Sequence, residues 1–237
     1  SSCNLDYSCL RGDCPSFVKV LEPKRPAKVK SRFTPAPSDL AVATVVDPVD
    51  GLMIRMPGIG GTGVVTVSQI LGTAAMLDGL QVRGLDQTGL SQKAGPVVSD
   101  VFISRDERVG SNKAAAGSVD VLIAFDLLGA ATDAQLRGAS VDRTIVIGSA
   151  SPTPTGKMVL HPTLAYPALD DLAGRLNAIS RAELNRYAPV FELVTGLFGD
   201  TTTANVFLLG VAHQAGVLPV STVSLERAIS LNGVAVD

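Results

Sequence analysis

The stretch from Gly51 to Leu77, GLMIRMPGIGGTGVVTVSQILGTAAML, constrains the fold more than any other part of the chain. Leu52, Met53, Ile54 and Met56 form a short apolar run with Arg55 as the one interruption, the pattern of a strand buried on both faces. Gly58, Gly60, Gly61 and Gly63 then break the strand, because no β-carbon obstructs a tight turn there. From Thr62 onward, Val64, Val65, Ile70, Leu71, Ala74, Ala75 and Leu77 recur with helical spacing, and Gly79 closes the element. A strand, a glycine turn and a helix are the first half of a βαβ unit. That geometry brings backbone N–H groups to the positive end of a helix, where an anionic or carbonyl group is favoured.

The rest of the chain continues the alternation. Gln81–Asp86 reads as a second strand, and the polar, glycine-rich 88–96 as a loop. In 97–105, Val97, Ser99, Val101 and Ile103 alternate with Val98, Asp100, Phe102 and Ser104, which predicts a half-buried strand. The connector 106–119 is expected to hold a short helical turn over 113–116. VLIAF, 121–125, is a buried strand ending at Asp126; 130–137 is a short helix, and TIVIG, 144–148, another buried strand. The proline-broken 149–167 is irregular. Helices are expected over 170–177, from a capping box at Ser180-Arg181-Ala182-Glu183, over 202–214 under threonine caps, and from Ser221 to Asn232–Gly233. The fold class that follows is α/β: a Rossmann-like, mainly parallel sheet with flanking helices, a helical C-terminal part and a short cysteine-rich N-terminal appendage.

Bulk properties exclude several classes. With 46% hydrophobic and 18% charged residues in 237, the chain can build one large core plus an appendage. A net charge of −2 gives no electrostatic reason to expect a nucleic acid or a membrane surface as partner. No apolar run reaches the roughly 18 residues of a membrane span, and the N-terminus lacks the layout of a signal peptide, so a cytoplasmic protein is expected.

All three cysteines, Cys3, Cys9 and Cys14, lie in the first fourteen residues. An odd, crowded set in a cytosolic chain speaks for metal or iron–sulfur ligation rather than a disulfide framework. Cys14–Pro15 is how ferredoxin-type motifs close, although the C-x5-C-x4-C spacing is loose and falls one thiolate short of four. A zinc knuckle fits the spacing equally well. Between this appendage and residue 48, Pro23, Pro26, Pro35, Pro37 and Pro48 alternate with lysines and arginines, as in a stiff, solvated linker. The boundaries expected are 1–20 for the appendage, 21–48 for the linker and 49–237 for the α/β domain.

The turn Gly58-Ile59-Gly60-Gly61-Thr62-Gly63 satisfies G-x-G-x-x-G, and Asp86 lies where a dinucleotide-binding fold wants an acidic residue. A nicotinamide or flavin site is therefore one reading, and glycines that serve strand–helix packing alone are another. The loop 89–96 carries Ser91, Gln92 and Lys93 at the carboxyl edge of the sheet, where loops meet ligands or neighbouring subunits; an exposed turn is the alternative. His213, near a helix C-terminus, reads as structural, and His161 as a candidate cleft residue. No complete catalytic constellation is present, and no residue is assigned as catalytic.

Taken together, Ser2 to Phe17 (SCNLDYSCLRGDCPSF), GIGGTGVVT, GLSQKAGPVVSDVFIS and the closing ERAISLNGVAVD resemble the indolepyruvate:ferredoxin oxidoreductases. These belong to the thiamine-dependent 2-oxoacid:acceptor oxidoreductases. The resemblance implies an enzyme that decarboxylates a 2-oxoacid on thiamine diphosphate, passes electrons through [4Fe–4S] clusters to ferredoxin, and releases an acyl-CoA. It implies that thiamine diphosphate and Mg2+ are held by other domains, with this chain the tail of a ferredoxin-like cluster module followed by the γ-type domain. Cys3, Cys9 and Cys14 would then be cluster ligands. Gly58, Gly60, Gly61, Thr62, Gly63, Gln92 and Lys93 would help close the assembled active site and contact coenzyme A. Partners are expected among other domains or subunits of the oxidoreductase, in a homo-oligomer, with this segment inert alone and Asp86 structural or at an interface. Elemental analysis of the protein in its complete context should return iron and acid-labile sulfide that are lost on Cys9→Ser; zinc without iron would contradict the cluster assignment.

Overall fold

The computed structural model describes residues 40–89, 95–107, 111–161 and 163–233. At its centre lies a six-stranded sheet in the order β2-β3-β1-β4-β5-β6, formed by β1 (Leu52–Ile59), β2 (Gln81–Thr88), β3 (Pro96–Ser104), β4 (Val121–Ala124), β5 (Ile145–Ser149) and β6 (Arg186–Ala188). β1, β4, β5 and β6 pair in parallel, whereas β3 runs antiparallel to both β1 and β2. Five strands thus share one direction and a single reversed strand lies between β1 and β2.

Each face of the sheet carries helices, because strands this apolar must be covered on both sides. Ile54, Met56, Ile123 and Ile147 point into one core, packed by α1 (Val64–Leu77), α7 (Ala204–Gln214), α8 (Thr222–Asn232) and Val190 and Val194 of α6 (Val190–Phe198). Met53, Leu122, Ala124 and Val146 point into the other, closed by α2 (Leu127–Ala130) and α5 (Leu169–Asn177). The short helices α3 (Asp133–Leu136) and α4 (Gly156–Leu160) sit in the connections. α1 and α8 are joined at their ends by Asp78, whose carboxylate accepts from Ser221 N–H and Oγ and from Ser224 Oγ. Burial raises that carboxyl and the three hydrogen bonds outweigh it, so its pKa lies below the ordinary value.

The alternation read from the sequence places most elements, with instructive exceptions. β1 does not stop at Met56: Pro57 and Gly58 remain in the strand and pair with Val98 and Val97. The missing N–H of Pro57 removes one rung, while its carbonyl still accepts from Phe125 N–H at 3.0 Å. β3 is not half-buried. Its Asp100 is fully buried and meets the Arg55 guanidinium through two hydrogen bonds of 2.7 and 2.8 Å. Over 113–116 there is no helical turn; Ala114 N–H donates to Asp100 instead.

The capping box at Ser180 opens no α-helix. Ser180 Oγ donates back to Leu176 C=O and accepts from Asn185 Nδ2, and a 3-10 turn over Ala182–Leu184 leads into β6. Asn185 Oδ1 in turn accepts from Val146 N–H at 2.7 Å, so a side chain stands in for a strand rung. The expected 130–137 helix is two single turns, α2 and α3, and α4 lies within the stretch read as irregular. Residues 41–48, in the stretch read as linker, lie on the domain: Val46 N–H donates to Leu218 C=O and Ala41 C=O accepts from Gln214 Nε2.

The Arg55–Asp100 pair has a definite energetic signature. Asp100→Ala should destabilise the fold by about 3–5 kcal/mol, because it strands a buried guanidinium, whereas the double change Arg55→Met, Asp100→Leu should recover most of that loss. Urea unfolding of the two variants beside the unchanged protein measures both.

Candidate functional site

The carboxyl ends of β1, β4, β5 and β6 lie along one edge of the sheet. β1 connects away toward β2 and β4 away toward β5, so a switch point falls between the two strands. A crevice outside the carboxyl ends is the geometric consequence. It is occupied by the glycine turn on one side and the start of α7 on the other, and it forms a cleft of about 470 Å³.

The glycines of the turn do different work. A β-carbon on Gly58 would lie 2.6 Å from Val64 Cγ2 and 3.1 Å from Phe125 Cβ, so its absence lets β1, α1 and β4 close on one another. Gly60 donates its N–H to Gly95 C=O at 2.7 Å, which ties the turn to the residue before β3. Gly61 and Gly63 have open space around them but sit at φ +86° and +95°, backbone that an L side chain rarely adopts. Gly63 caps α1 with backbone alone, leaving the first-turn N–H groups without intrahelical acceptors.

Thr62 is the fixed point of the turn. Its hydroxyl donates to Ile59 C=O at 2.7 Å, and Asn205 Nδ2 donates to its carbonyl at 2.8 Å and its Oγ at 3.2 Å. Asn205 is buried in the first turn of α7. The amide therefore clamps two helix starts together 143 residues apart in sequence. α7 is preceded by Thr201, Thr202 and Thr203, but these do not cap it as expected: the N-cap Thr203 makes no side-chain cap bond, and its Oγ is shielded with no partner among the described residues.

The cleft is apolar in its depth and hydroxyl-bearing at its rim. Ile59, Val67, Ile70, Phe125 and Phe191 supply the apolar wall; Thr62, Thr66, Thr153 and Asn205 supply polar groups. None of the described residues that line it is charged. The arrangement can hold an uncharged body and satisfy oxygen acceptors; it holds no acid–base pair. Asp126, which follows Phe125, turns to the other face, where its carboxylate caps α2 through Gly129 N–H. Burial raises its pKa, partly offset by the α2 amides, and burial together with this carboxylate pushes the Tyr166 hydroxyl up to about 12.

Of the residues proposed from the sequence, Gly58, Gly60, Gly61, Thr62 and Gly63 form this one turn, three of them lining the cleft. Gln92 and Lys93 lie outside the described residues, as do Cys3, Cys9 and Cys14; Gly95 itself is held beside the turn by its bond from Gly60. Asp86 is not placed for a ribose. β3 intervenes between β1 and β2, about 9–10 Å of sheet, and the carboxylate accepts from Ser68 of α1 and Ser99 of β3. His161 is exposed at the end of α4 and lines no part of the cleft. His213 is buried with Nε2 2.9 Å from Thr222 Oγ1, and burial lowers its pKa, so the ring is neutral rather than cationic.

Comparison with known proteins adds to this geometry. Residues 53–233 match the family model described as pyruvate ferredoxin/flavodoxin oxidoreductase. Indolepyruvate oxidoreductase subunit IorB of Thermococcus kodakarensis is 27% identical over 189 residues, covering 76% of this chain and 85% of the relative. The same subunit of Pyrococcus horikoshii is 28% identical over 183 residues, with the same coverage. The crystal structure of pyruvate oxidoreductase subunit PORC from Thermotoga maritima superposes with a TM-score of 0.50 at 17% identity, over 76% of this chain and 84% of that one. A 2-oxoglutarate:ferredoxin oxidoreductase from Magnetococcus marinus superposes at 0.52 and 15% identity, over 76% of this chain and 26% of that one. These two show the shared fold.

The turn yields a contrast between two glycines. Gly58→Ala should cost about 1–3 kcal/mol through overpacking, and Gly61→Asn should cost less than Gly61→Val, because asparagine tolerates the left-handed region. Thermal unfolding of the three variants reads the order.

Proposed function

The chain belongs to the pyruvate ferredoxin/flavodoxin oxidoreductase family, and from that premise we propose that it is the γ-type part of an indolepyruvate or other aryl-pyruvate:ferredoxin oxidoreductase. The overall reaction takes a 2-oxoacid, coenzyme A and two oxidised ferredoxins to acyl-CoA, CO2, a proton and two reduced ferredoxins. The observation that carries the reading is the family match over 53–233 together with relatives named for indolepyruvate. A cleft whose described lining bears no charge agrees with a chain that shapes a site completed by other domains or subunits.

Three groups bear on the chemistry. Thiamine diphosphate with Mg2+ supplies the electron sink for decarboxylation, and the described residues offer it no group of three or more acidic, histidine or cysteine side chains placed to hold a metal; we assign it to the partner. Cys3, Cys9 and Cys14 supply three soft thiolates of the kind a [4Fe–4S] cluster takes, with the fourth from elsewhere. Coenzyme A is the acyl acceptor, and its contact is assigned to the turn Gly58–Gly63 with Gln92 and Lys93. The chain's own contribution is orientation: Asn205 fixes Thr62, the turn directs first-turn amides at an acceptor oxygen, and the apolar wall excludes water. Residues 1–20 are the tail of the cluster module, 21–48 the linker and 49–237 the γ-type domain, in a cytoplasmic homo-oligomer. No helix among the described residues is long and apolar enough to cross a membrane.

Co-expression with the thiamine-binding partner tests this. Purified enzyme should reduce ferredoxin with indolepyruvate only when coenzyme A is present, and the isolated chain should not. Micromolar binding of NAD, NADP or FAD to the isolated chain, abolished by Asp86→Ala, would contradict it.

A further inference from the structure

The cleft beside the glycine turn is built to a narrower specification than closing a site requires. Its volume of about 470 Å³ lies in the range of pockets that enclose one small organic molecule. Two of its walls are phenylalanines on pinned backbone. Phe125, 5% exposed, has its N–H bonded to Pro57 C=O, and Phe191, at the start of α6, has its N–H bonded to Ser151 Oγ at 2.9 Å. Rings held this way present apolar surface at little cost in side-chain entropy, and a planar ring is what such surface accepts best.

The polar groups select a head group. Asn205 occupies the Thr62 carbonyl and Oγ, and the Thr62 hydroxyl proton is given to Ile59 C=O, so acceptors on the turn are already engaged. What remains are donors, the first-turn amides of α1 and those of Asn205 and Val206 in α7 (Ala204 N–H is already given to Thr201 C=O), with the shielded, unpartnered Thr203 Oγ on the lining itself. Donors without a cation suit a carbonyl or a single carboxylate. Phosphates, which call for the counter-charge that Lys93 would bring to coenzyme A, find none among the described lining residues, so the cleft itself suits a less charged head.

We propose that this cleft binds a planar aryl ring bearing a short carbonyl or carboxylate head, and that Phe125 and Phe191 set a preference for aryl over alkyl ligands. That the ligand is the aryl 2-oxoacid or its decarboxylated product rests on the function proposed above; the site does not.

The chain contains no tryptophan, so indole emission reports the ligand alone. Titrating indole-3-acetate with the full chain should give saturable anisotropy. Phe191→Ala should weaken it about tenfold or more, Phe191→Tyr should leave it nearly unchanged, and Thr203→Val, which keeps the shape, should weaken it about threefold to tenfold. In the assembled enzyme Phe191→Leu should lower kcat/KM for indolepyruvate while sparing pyruvate. An assembled enzyme that oxidises no 2-oxoacid, beside a chain that binds indole-3-acetate, sinks the function and keeps the site. An enzyme that oxidises indolepyruvate, beside a chain that shows no saturable binding and an unchanged substrate ratio in Phe191→Leu, sinks the site and keeps the function.

Discussion

The bidentate pair between Arg55 and Asp100 is the interaction on which the sheet edge depends. It joins β1 to β3 at directly opposed positions, deep enough that Asp100 is fully buried. Two charges so placed are tolerable only when each has a matched partner, so the pair fixes register strongly: a one-residue slip would strand both. Gly138 makes room for it, since a β-carbon there would come within 2.8 Å of the guanidinium. With β3 locked against β1 along its whole length, β2 is pushed to the sheet edge, and the carboxylate of Asp86 is drawn into a link between α1 and β3.

The character of the cleft follows. A dinucleotide fold uses the parallel neighbour of its first strand to hold a ribose; here that place is taken by a reversed strand. The glycine turn keeps its anion-favouring geometry and loses the parallel ribose-binding strand beside it. It gains instead a clamp from the other end of the chain, the Asn205 amide on Thr62, which brings two helix starts to one apolar hollow. A site of this kind orients and shelters, and its described lining holds no acid–base pair of its own.

How much of this the sequence shows depends on whether the signal is local. The strand, turn and helix of 51–77 were legible because each residue type states its own backbone preference. Burial of Asp100 was not, because VVSDVFIS alternates whether its second face meets water or Arg55. The direction of β3 did leave a trace. The loop after β2 is far shorter than the dozen or more residues a parallel return needs, so loop length argues for an antiparallel pairing that residue pattern does not. Asn205 left none, since its role exists only across 143 residues of chain. Ser180 misled because a hydroxyl that caps a helix N-terminus can equally donate back to the preceding turn.

On the proposed function, the edge formed by the turn and the start of α7 is completed by another domain or subunit. First-turn amides exchange quickly when they face water and slowly when a partner covers them. Hydrogen–deuterium exchange of the chain, alone and assembled with the partner proposed to bind thiamine diphosphate, measures this coverage. Strong slowing over 60–66 and 201–206 with little change along β2 is expected; unaltered exchange at both helix starts, with protection appearing elsewhere, would rule that completion out.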